Sequence, residues 1–219
     1  MTKIGREKGL FITFEGTEGC GKTTQFRLLI DRARAAGHTV IETAEPGGTS
    51  IGRQIRKILL DPANEELGPT AELLLYFAAR AQNVDELVNP ALARGELVIS
   101  DRWTDSSWAY QGTARKLGKL GTALVEQLDT IACRGLQPHL TICLDIDLDT
   151  GLRRARSRNL ETQLNESRLD DETREFHSTV KRAYSELAKH HPERFRIVDA
   201  NRTIDEIAAD IWKLVEARK

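Results

Sequence analysis

The sequence predicts an α/β protein in three layers, with a five-stranded parallel sheet between two layers of helices. Two observations predict this architecture. Short apolar runs alternate along the chain with longer segments in which apolar residues recur every three to four positions, as in amphipathic helices. The short runs are nearly continuous in their apolar character, which is typical of parallel strands that are buried on both faces.

Each predicted strand is followed by at least one predicted helix. The strands cover residues 10–14, 39–43, 97–100, 140–144 and 195–198. The helices cover residues 22–36, 51–60, 70–94, 121–134, 149–158, 170–190 and 203–217. Gly37 and Gly95 mark two helix ends, and Pro90 predicts a kink or break within the longest helix. No repeat or interdomain linker interrupts the pattern, so we expect one domain over residues 1–219.

Composition and charge argue against several classes of protein. The chain carries 32 basic and 33 acidic residues, whereas a nucleic-acid binder usually has a basic excess, so we expect no nucleic-acid partner. No stretch approaches 18 apolar residues, so we expect no membrane span. The three cysteines form no disulfide framework, which indicates a cytoplasmic protein. The five histidines lack metal-ligand spacing, so a metalloenzyme is not indicated.

The most specific motif follows the first strand. Residues 16–23 read GTEGCGKT and match the phosphate-binding P-loop, G-x-x-x-x-G-K-[ST], between a predicted strand and a predicted helix. Glycines let backbone N–H groups turn toward phosphates, and the helix dipole favours an anion there. We expect Lys22 to reach the β- and γ-phosphates and Thr23 to ligate Mg²⁺. The predicted nucleotide site comprises Gly16, Thr17, Glu18, Gly19, Cys20, Gly21, Lys22, Thr23 and Thr24.

Cys20 occupies a variable position of the P-loop, which we interpret as a loop position and not as a nucleophile. Because a helix N-terminus can lower the pKa of a thiol, Cys20 is also expected to react with alkylating reagents when the nucleotide is absent. The P-loop by itself does not distinguish an ATPase, a GTPase and a kinase. The chain lacks the guanine-binding sequence N-K-x-D, so other motifs must identify the phosphoryl acceptor.

Two further motifs lie at the carboxyl ends of predicted strands, where open α/β sheets bind ligands. Residues 45–49 read EPGGT, and residues 101–111 read DRWTDSSWAYQ. With the P-loop and the FAAR sequence at 77–80, they closely resemble bacterial thymidylate kinases over nearly the whole chain. The two motifs separate that family from adenylate, guanylate and cytidylate kinases. The resemblance implies a P-loop NTPase fold with a helical lid, and an enzyme that moves the γ-phosphoryl group of ATP to dTMP with Mg²⁺.

The resemblance also implies the residues that bind dTMP. Two arginines would hold its phosphate, a carboxylate would face its sugar, and a tyrosine would crowd the 2′ position. An arginine donor suits the O4 acceptor of thymine but not the amino group of cytosine. The implied residues are Glu18, Arg56, Phe77, Arg80, Arg102, Ser106, Ser107, Tyr110 and Gln111. Phe77 would stack on thymine, although its leucine- and alanine-rich helix favours core packing when the resemblance is set aside.

A lid over about residues 153–168 is implied to supply positive charge to the migrating phosphoryl group. Arg154 and Arg158 share a helix face through their i, i+4 spacing, whereas such a charge run is otherwise typical of a solvated surface. The implied catalytic residues are Lys22, Arg102, Arg154 and Arg158. Asp101 would hold Mg²⁺ together with Thr23, directly or through water, or would instead contact Arg102 or the P-loop through hydrogen bonds alone.

Two alternative functions stay open at the level of sequence. One is another P-loop nucleotide or nucleoside kinase, against which the EPGGT and AYQ segments argue. The other is a P-loop protein that hydrolyses ATP to switch conformation, which predicts ATP turnover without dTMP. Relatives are homodimers, so the resemblance also implies a homodimer.

Overall fold

The computed structural model describes residues 9–115, 117, 120–162, 168–170 and 172–218, and of residues 158–162 only the backbone. A parallel sheet in the order β2-β3-β1-β4-β5 forms the centre. Its strands are β1 (Leu10–Gly16), β2 (Val40–Ala44), β3 (Leu97–Asp101), β4 (Leu140–Asp145) and β5 (Phe195–Asp199). The sheet confirms the predicted fold class.

Helices connect the strands and cover both faces of the sheet. They are α1 (Lys22–Ala35), α2 (Ser50–Leu60), α3 (Pro69–Asn83), α4 (Asn89–Ala93), α5 (Thr104–Ser107), α6 (Gly121–Cys133), α7 (Leu148–Thr162), α8 (Arg174–His190) and α9 (Ile204–Glu216). Within the described residues, every helix is too short or too polar to cross a membrane.

The central strand β1 is buried on both faces because alternate side chains enter different layers. Ile12 and Phe14 pack in one core with residues of α1 and α9. Phe11 packs in a second core on the opposite face, where its ring centroid lies 4.9 Å from that of Trp103. The P-loop therefore extends from the most enclosed strand of the sheet.

The predicted helix 70–94 is interrupted. α3 ends at Asn83, a π-helical segment spans Val84–Val88, and α4 begins at Asn89 with Pro90 in its first turn. Proline fits a first helical turn because no intrahelical partner is lost there. The change from α- to π-helix at Val84–Val88 thus lies just before Pro90, where the sequence predicts a kink or break.

Two further differences concern the ends of elements. The helix predicted from residue 170 begins at Arg174, because the Thr173 side chain accepts a hydrogen bond from the Phe176 N–H at 3.2 Å and so caps the first turn. The motif at 101–111 includes α5 and the start of a π-helical segment, Trp108–Ala114, neither of which the sequence pattern predicts.

Candidate active site

The carboxyl ends of β1, β2 and β3 lie side by side and carry the three sequence motifs. Two cavities open there, one of about 490 Å³ and one of about 220 Å³. The smaller cavity is formed by residues 17–24 of the P-loop together with Arg154. Glu18, Lys22 and Thr23 line both cavities, so the P-loop separates two adjacent binding spaces.

The P-loop is in direct contact with the start of α7. Gly19 has a φ of 67°, and a Cβ at this position would lie 2.0 Å from the backbone oxygen of Gly151. A Cβ on Gly151 would lie 2.6 Å from the backbone oxygen of Glu18. Both positions therefore require glycine, and their contact places Arg154, one turn further along α7, beside the P-loop.

Cys20 differs from its predicted reactivity. Its side chain is only 4% exposed, and burial raises the pKa of the thiol despite the opposing charges of Lys22 and Arg102. Because the thiolate is the reactive form, the raised pKa and the burial argue against the predicted reactivity toward alkylating reagents. Cys20 instead packs in the core below the loop.

Lys22 forms an ion pair with Asp101 at the boundary of the larger cavity. Burial by itself would raise the pKa of Asp101, but the charges of Lys22 and Arg102 outweigh burial and keep it below its usual value. An ionised Asp101 carboxylate and the exposed Thr23 hydroxyl line the same cavity. Oxygen donors of this kind, completed by water and phosphate oxygens, fit Mg²⁺.

Arg102 has a left-handed backbone with a φ of 70°, which is uncommon for a residue with a side chain. Three hydrogen bonds hold this conformation. The Arg102 N–H donates to the Phe14 oxygen at 2.8 Å, the Ser100 hydroxyl donates to the Arg102 oxygen at 2.7 Å, and the Trp103 N–H donates to Glu15 Oε1 at 2.8 Å. The surrounding strands therefore stabilise a backbone that costs about 1–3 kcal/mol.

The Arg102 side chain lines the larger cavity. It donates to Glu18 Oε1 at 2.9 Å and to the Ser106 hydroxyl at 3.0 Å, and it lies 5.0 Å from the centroid of the Tyr110 ring. The Tyr110 hydroxyl also donates to Glu18 Oε1, at 2.7 Å. Burial would raise the pKa of Glu18, but Arg102 and the Tyr110 hydroxyl bring it below its usual value. Glu18 is thus an ionised acceptor facing the cavity.

Glu15 holds the residues around Arg102 in place through hydrogen bonds to Ser106 and to the Trp103 N–H. The sequence analysis did not identify Glu15. The side chain is fully buried and accepts hydrogen bonds from the Ser106 hydroxyl and from the Tyr184 hydroxyl, the latter at 2.9 Å. Burial, with the charge of Asp105, raises its pKa to about 7 against the opposing charge of Arg102. A glutamate directly between the predicted strand 10–14 and the P-loop was the available signal.

Arg80 is the most enclosed cation of the larger cavity, with a relative exposure of 1%. Its Nη2 donates to the Ser107 hydroxyl at 3.0 Å, whereas Nη1 and Nε have no hydrogen-bond partner among the described residues. Glu45 Oε2 lies 3.7 Å from Arg80 Nε, and Glu45 Oε1 accepts from Asn83 at 2.5 Å. Burial raises the pKa of Glu45 to about 7, with Arg80 and Asn83 opposing the rise.

Comparison with known proteins identifies the family. The family model for thymidylate kinase matches residues 14–211. The chain belongs to the thymidylate kinase family. It is 50% identical to a thymidylate kinase of Syntrophotalea carbinolica, over 92% of this chain and 93% of that protein. It is 47% identical to a thymidylate kinase of Deinococcus radiodurans, over 96% and 98% of the two chains.

A solved structure agrees with these relatives. The crystal structure of thymidylate kinase from Ehrlichia chaffeensis superposes with a TM-score of 0.75, at 27% identity, over 95% of this chain and 99% of that one. Membership of this family makes the chain an enzyme, a nucleotide kinase with ATP as its phosphoryl donor. The prediction of the family from the P-loop, EPGGT and DR…AYQ motifs is confirmed.

The larger cavity contains most of the residues that the resemblance assigned to dTMP. Its wall includes Glu18, Arg56, Arg80, Arg102, Ser106, Ser107, Tyr110 and Gln111. Arg56 also donates to the Pro46 oxygen at 2.8 Å. Residues that lie more than 90 positions apart in sequence thus converge on one space.

Phe77 is placed differently from its prediction. It is 3% exposed, packs in the core below α3, and is not among the described residues that line the larger cavity. Its neighbour Tyr76 lines that cavity instead. One position corresponds to about 100° around an α-helix, so only one of two consecutive rings can face the cavity. The Arg80 guanidinium lies 4.5 Å from the Phe77 ring centroid, so Phe77 contacts the site through Arg80.

The lid residues divide into separate groups. Arg154 lines the P-loop cavity, whereas Arg153 is exposed and donates to the Thr150 hydroxyl at 3.3 Å. The side chain of Arg158 and the segment 163–167 lie outside the described atoms. Arg168 binds away from the P-loop, donating to Glu72 and to the Leu59 oxygen, each at 2.6 Å.

Proposed function

We propose that this chain transfers the γ-phosphoryl group of ATP to the phosphate of dTMP, giving dTDP and ADP. One observation carries the proposal: a P-loop cavity and a larger, arginine-lined cavity adjoin and share Glu18, Lys22 and Thr23. Such adjacency suits an in-line transfer. A dTMP phosphate oxygen attacks the γ-phosphorus, the bond from that phosphorus to the β–γ bridging oxygen breaks, and ADP leaves.

ATP binds on the P-loop side, over residues 16–24. Backbone N–H groups and Lys22 hold its phosphates, and Lys22 exchanges Asp101 for the nucleotide as its partner. Thr23 and Asp101 would hold Mg²⁺, which would supply positive charge to the phosphates of ATP. Arg154, with Arg158, contributes positive charge to the migrating group.

The phosphate and sugar of dTMP occupy the larger cavity next to the P-loop. Arg56 and Arg102 bind the acceptor phosphate, since guanidinium groups match phosphate geometry. Glu18 accepts from the sugar 3′-hydroxyl, and the Tyr110 ring, fixed by its bond to Glu18, leaves little room for a 2′-hydroxyl.

The thymine base occupies the deeper end of the same cavity. Arg80 donates to O4 through a guanidinium that keeps unused N–H groups, and Ser106, Ser107 and Gln111 complete the pocket. Tyr76 replaces Phe77 as the aromatic surface for the base. A cytosine amino group would leave the Arg80 donors unpaired, which is a strong basis for rejection.

We further propose a cytoplasmic homodimer with one domain per protomer. The cysteines are free and buried, which suits a reducing compartment. Ile131 of α6 is 71% exposed and Leu74 of the adjoining α3 is 51% exposed. Large exposed apolar side chains on neighbouring helices support a partner surface, and light scattering at several concentrations would measure the assembly.

An ADP-release assay with ATP and Mg²⁺ tests the function, with dTMP, dUMP, UMP, CMP or no acceptor in parallel. We expect fast ADP release with dTMP, slower release with dUMP, and almost none with UMP, with CMP or without an acceptor. Preference for another acceptor would favour a different nucleotide kinase. Equal release with and without an acceptor would favour a P-loop ATPase and overturn the proposal.

A further inference from the structure

Glu72 of α3 lies behind the wall of the larger cavity and is 1% exposed. Its Oε1 accepts hydrogen bonds from Gln111 Nε2 at 2.8 Å and from Arg115 Nε at 3.2 Å. Its Oε2 accepts from Arg168 Nη2 at 2.6 Å. One buried carboxylate thus joins Gln111 and Arg115, which lie four residues apart, to Arg168 from a distant part of the chain.

These contacts decide which end of the Gln111 side chain faces Glu72. Guanidinium groups only donate hydrogen bonds, so both Glu72 oxygens already act as acceptors, toward Arg115 and Arg168, and Oε1 is an acceptor toward Gln111 as well. The Gln111 side chain must therefore turn its NH₂ group toward Glu72. Gln111 is itself 2% exposed and lines the larger cavity, so its carbonyl oxygen is the atom left for a ligand.

We infer that Glu72 is a positioning residue for base selection, because it fixes the Gln111 amide with its oxygen toward the bound base. The inference rests on the proposed binding of dTMP in this cavity. The cavity then presents a hydrogen-bond acceptor from Gln111 as well as the unused donors of Arg80. Thymine offers the complementary pair, an N3–H donor and an O4 acceptor.

Cytosine offers the opposite pattern, with an acceptor at N3 and an amino donor at C4. With the Gln111 amide fixed, its oxygen faces N3 of cytosine, and both atoms are acceptors. The N–H groups of Arg80 face the cytosine amino group, and both are donors. A Gln111 amide free to turn over would present its NH₂ group to N3 of cytosine. Loss of the Glu72 charge therefore removes one of the two mismatches that exclude dCMP.

Glu72→Gln tests the inference because an amide at position 72 can donate or accept, and so no longer fixes the Gln111 amide. Glu172→Gln is the matched control, since Glu172 accepts from Arg115 in the same network without a contact to Gln111. The Kd values of dTMP and dCMP are measured by calorimetry for each protein, next to the ADP-release assay.

We expect the Kd for dCMP divided by the Kd for dTMP to fall by about 10- to 100-fold in Glu72→Gln. This is the effect on affinity of one hydrogen bond to a charged group. The ratio should stay unchanged in Glu172→Gln. An unchanged ratio in Glu72→Gln, in a preparation whose wild type turns over dTMP, overturns the inference alone. A wild type that does not turn over dTMP overturns the proposed function instead.

A double variant provides rescue. With Glu72→Gln and Gln111→Glu together, a carboxylate at 111 accepts from the new amide and keeps an oxygen toward the base, so discrimination should return toward the wild type. Thermal melts check folding. Should Glu72→Gln unfold, Glu72→Asp retains the charge for Arg168 but withdraws from Gln111, and the same fall in the ratio is expected. Discrimination that stays at the wild-type level in Glu72→Asp would contradict the positioning role.

Discussion

Gly151→Ala perturbs the contact between the P-loop and α7 without removing a functional group. The added Cβ would lie 2.6 Å from the Glu18 oxygen and 3.0 Å from Ile146 Cγ2, whereas ordinary contacts begin at 3.4 Å. α7 must therefore move by about 0.8 Å, and Arg154 moves with it. A misplacement of about 1 Å costs about 100-fold in rate, or about 2.7 kcal/mol in the activation barrier.

Steady-state ADP release, with both substrates varied, measures this effect. We expect kcat to fall about 100-fold, while the KM for dTMP changes little because no described residue of α7 lines the larger cavity. Gly68→Ala is the control, since a Cβ there meets nothing within 4 Å and the backbone φ is −63°. Thermal melts are needed because overpacking costs about 1–3 kcal/mol. A folded Gly151→Ala enzyme with a kcat close to that of the wild type would refute the reasoning.

Two further substitutions test the charges of the site. Arg154→Ala should lower kcat roughly a thousandfold, because an arginine at the migrating phosphoryl group accelerates transfer by at least that factor. Arg153→Ala is the control and should leave kcat unchanged. Equal kcat values for the two variants would show that Arg154 has no such role. Glu45→Gln should change the pH dependence of stability. The folded-state pKa of Glu45 is raised from 4.5 to about 7, because burial favours the neutral carboxyl. The free energy of unfolding that Glu45 contributes below pH 4.5 is therefore lost as the pH rises through 7. Urea unfolding should show that, from pH 5 to pH 8, the free energy of unfolding of the wild type falls by roughly 2–3 kcal/mol more than that of Glu45→Gln. A difference between the two proteins that does not change with pH would contradict the raised pKa of Glu45.

The P-loop and the acceptor motifs could be predicted from sequence because their residues are local. Lys22 and Thr23 follow the glycines at fixed spacing, and Asp101 and Arg102 directly follow an apolar strand. In a parallel sheet the carboxyl ends of the strands meet at one edge, so strand assignment is enough to bring such motifs together. Family resemblance then supplied the identity of the acceptor.

The roles of the buried carboxylates could not be predicted, because their partners come from distant parts of the chain. Glu72 meets Arg168 across 96 positions, and Glu15 meets Tyr184 across 169. Likewise, sequence alone does not decide whether Phe77 or Tyr76 faces the cavity, since both are aromatic and their helix has apolar neighbours on every side. That choice depends on how α3 is rotated against the sheet.

The position of β1 between β3 and β4 has a consequence for local opening of the chain. Both edges of β1 are hydrogen-bonded and both faces are covered, so we expect its amides to exchange with solvent only on global unfolding. The P-loop is attached directly to that strand. The nucleotide site is thereby anchored to the strand that we expect to open last.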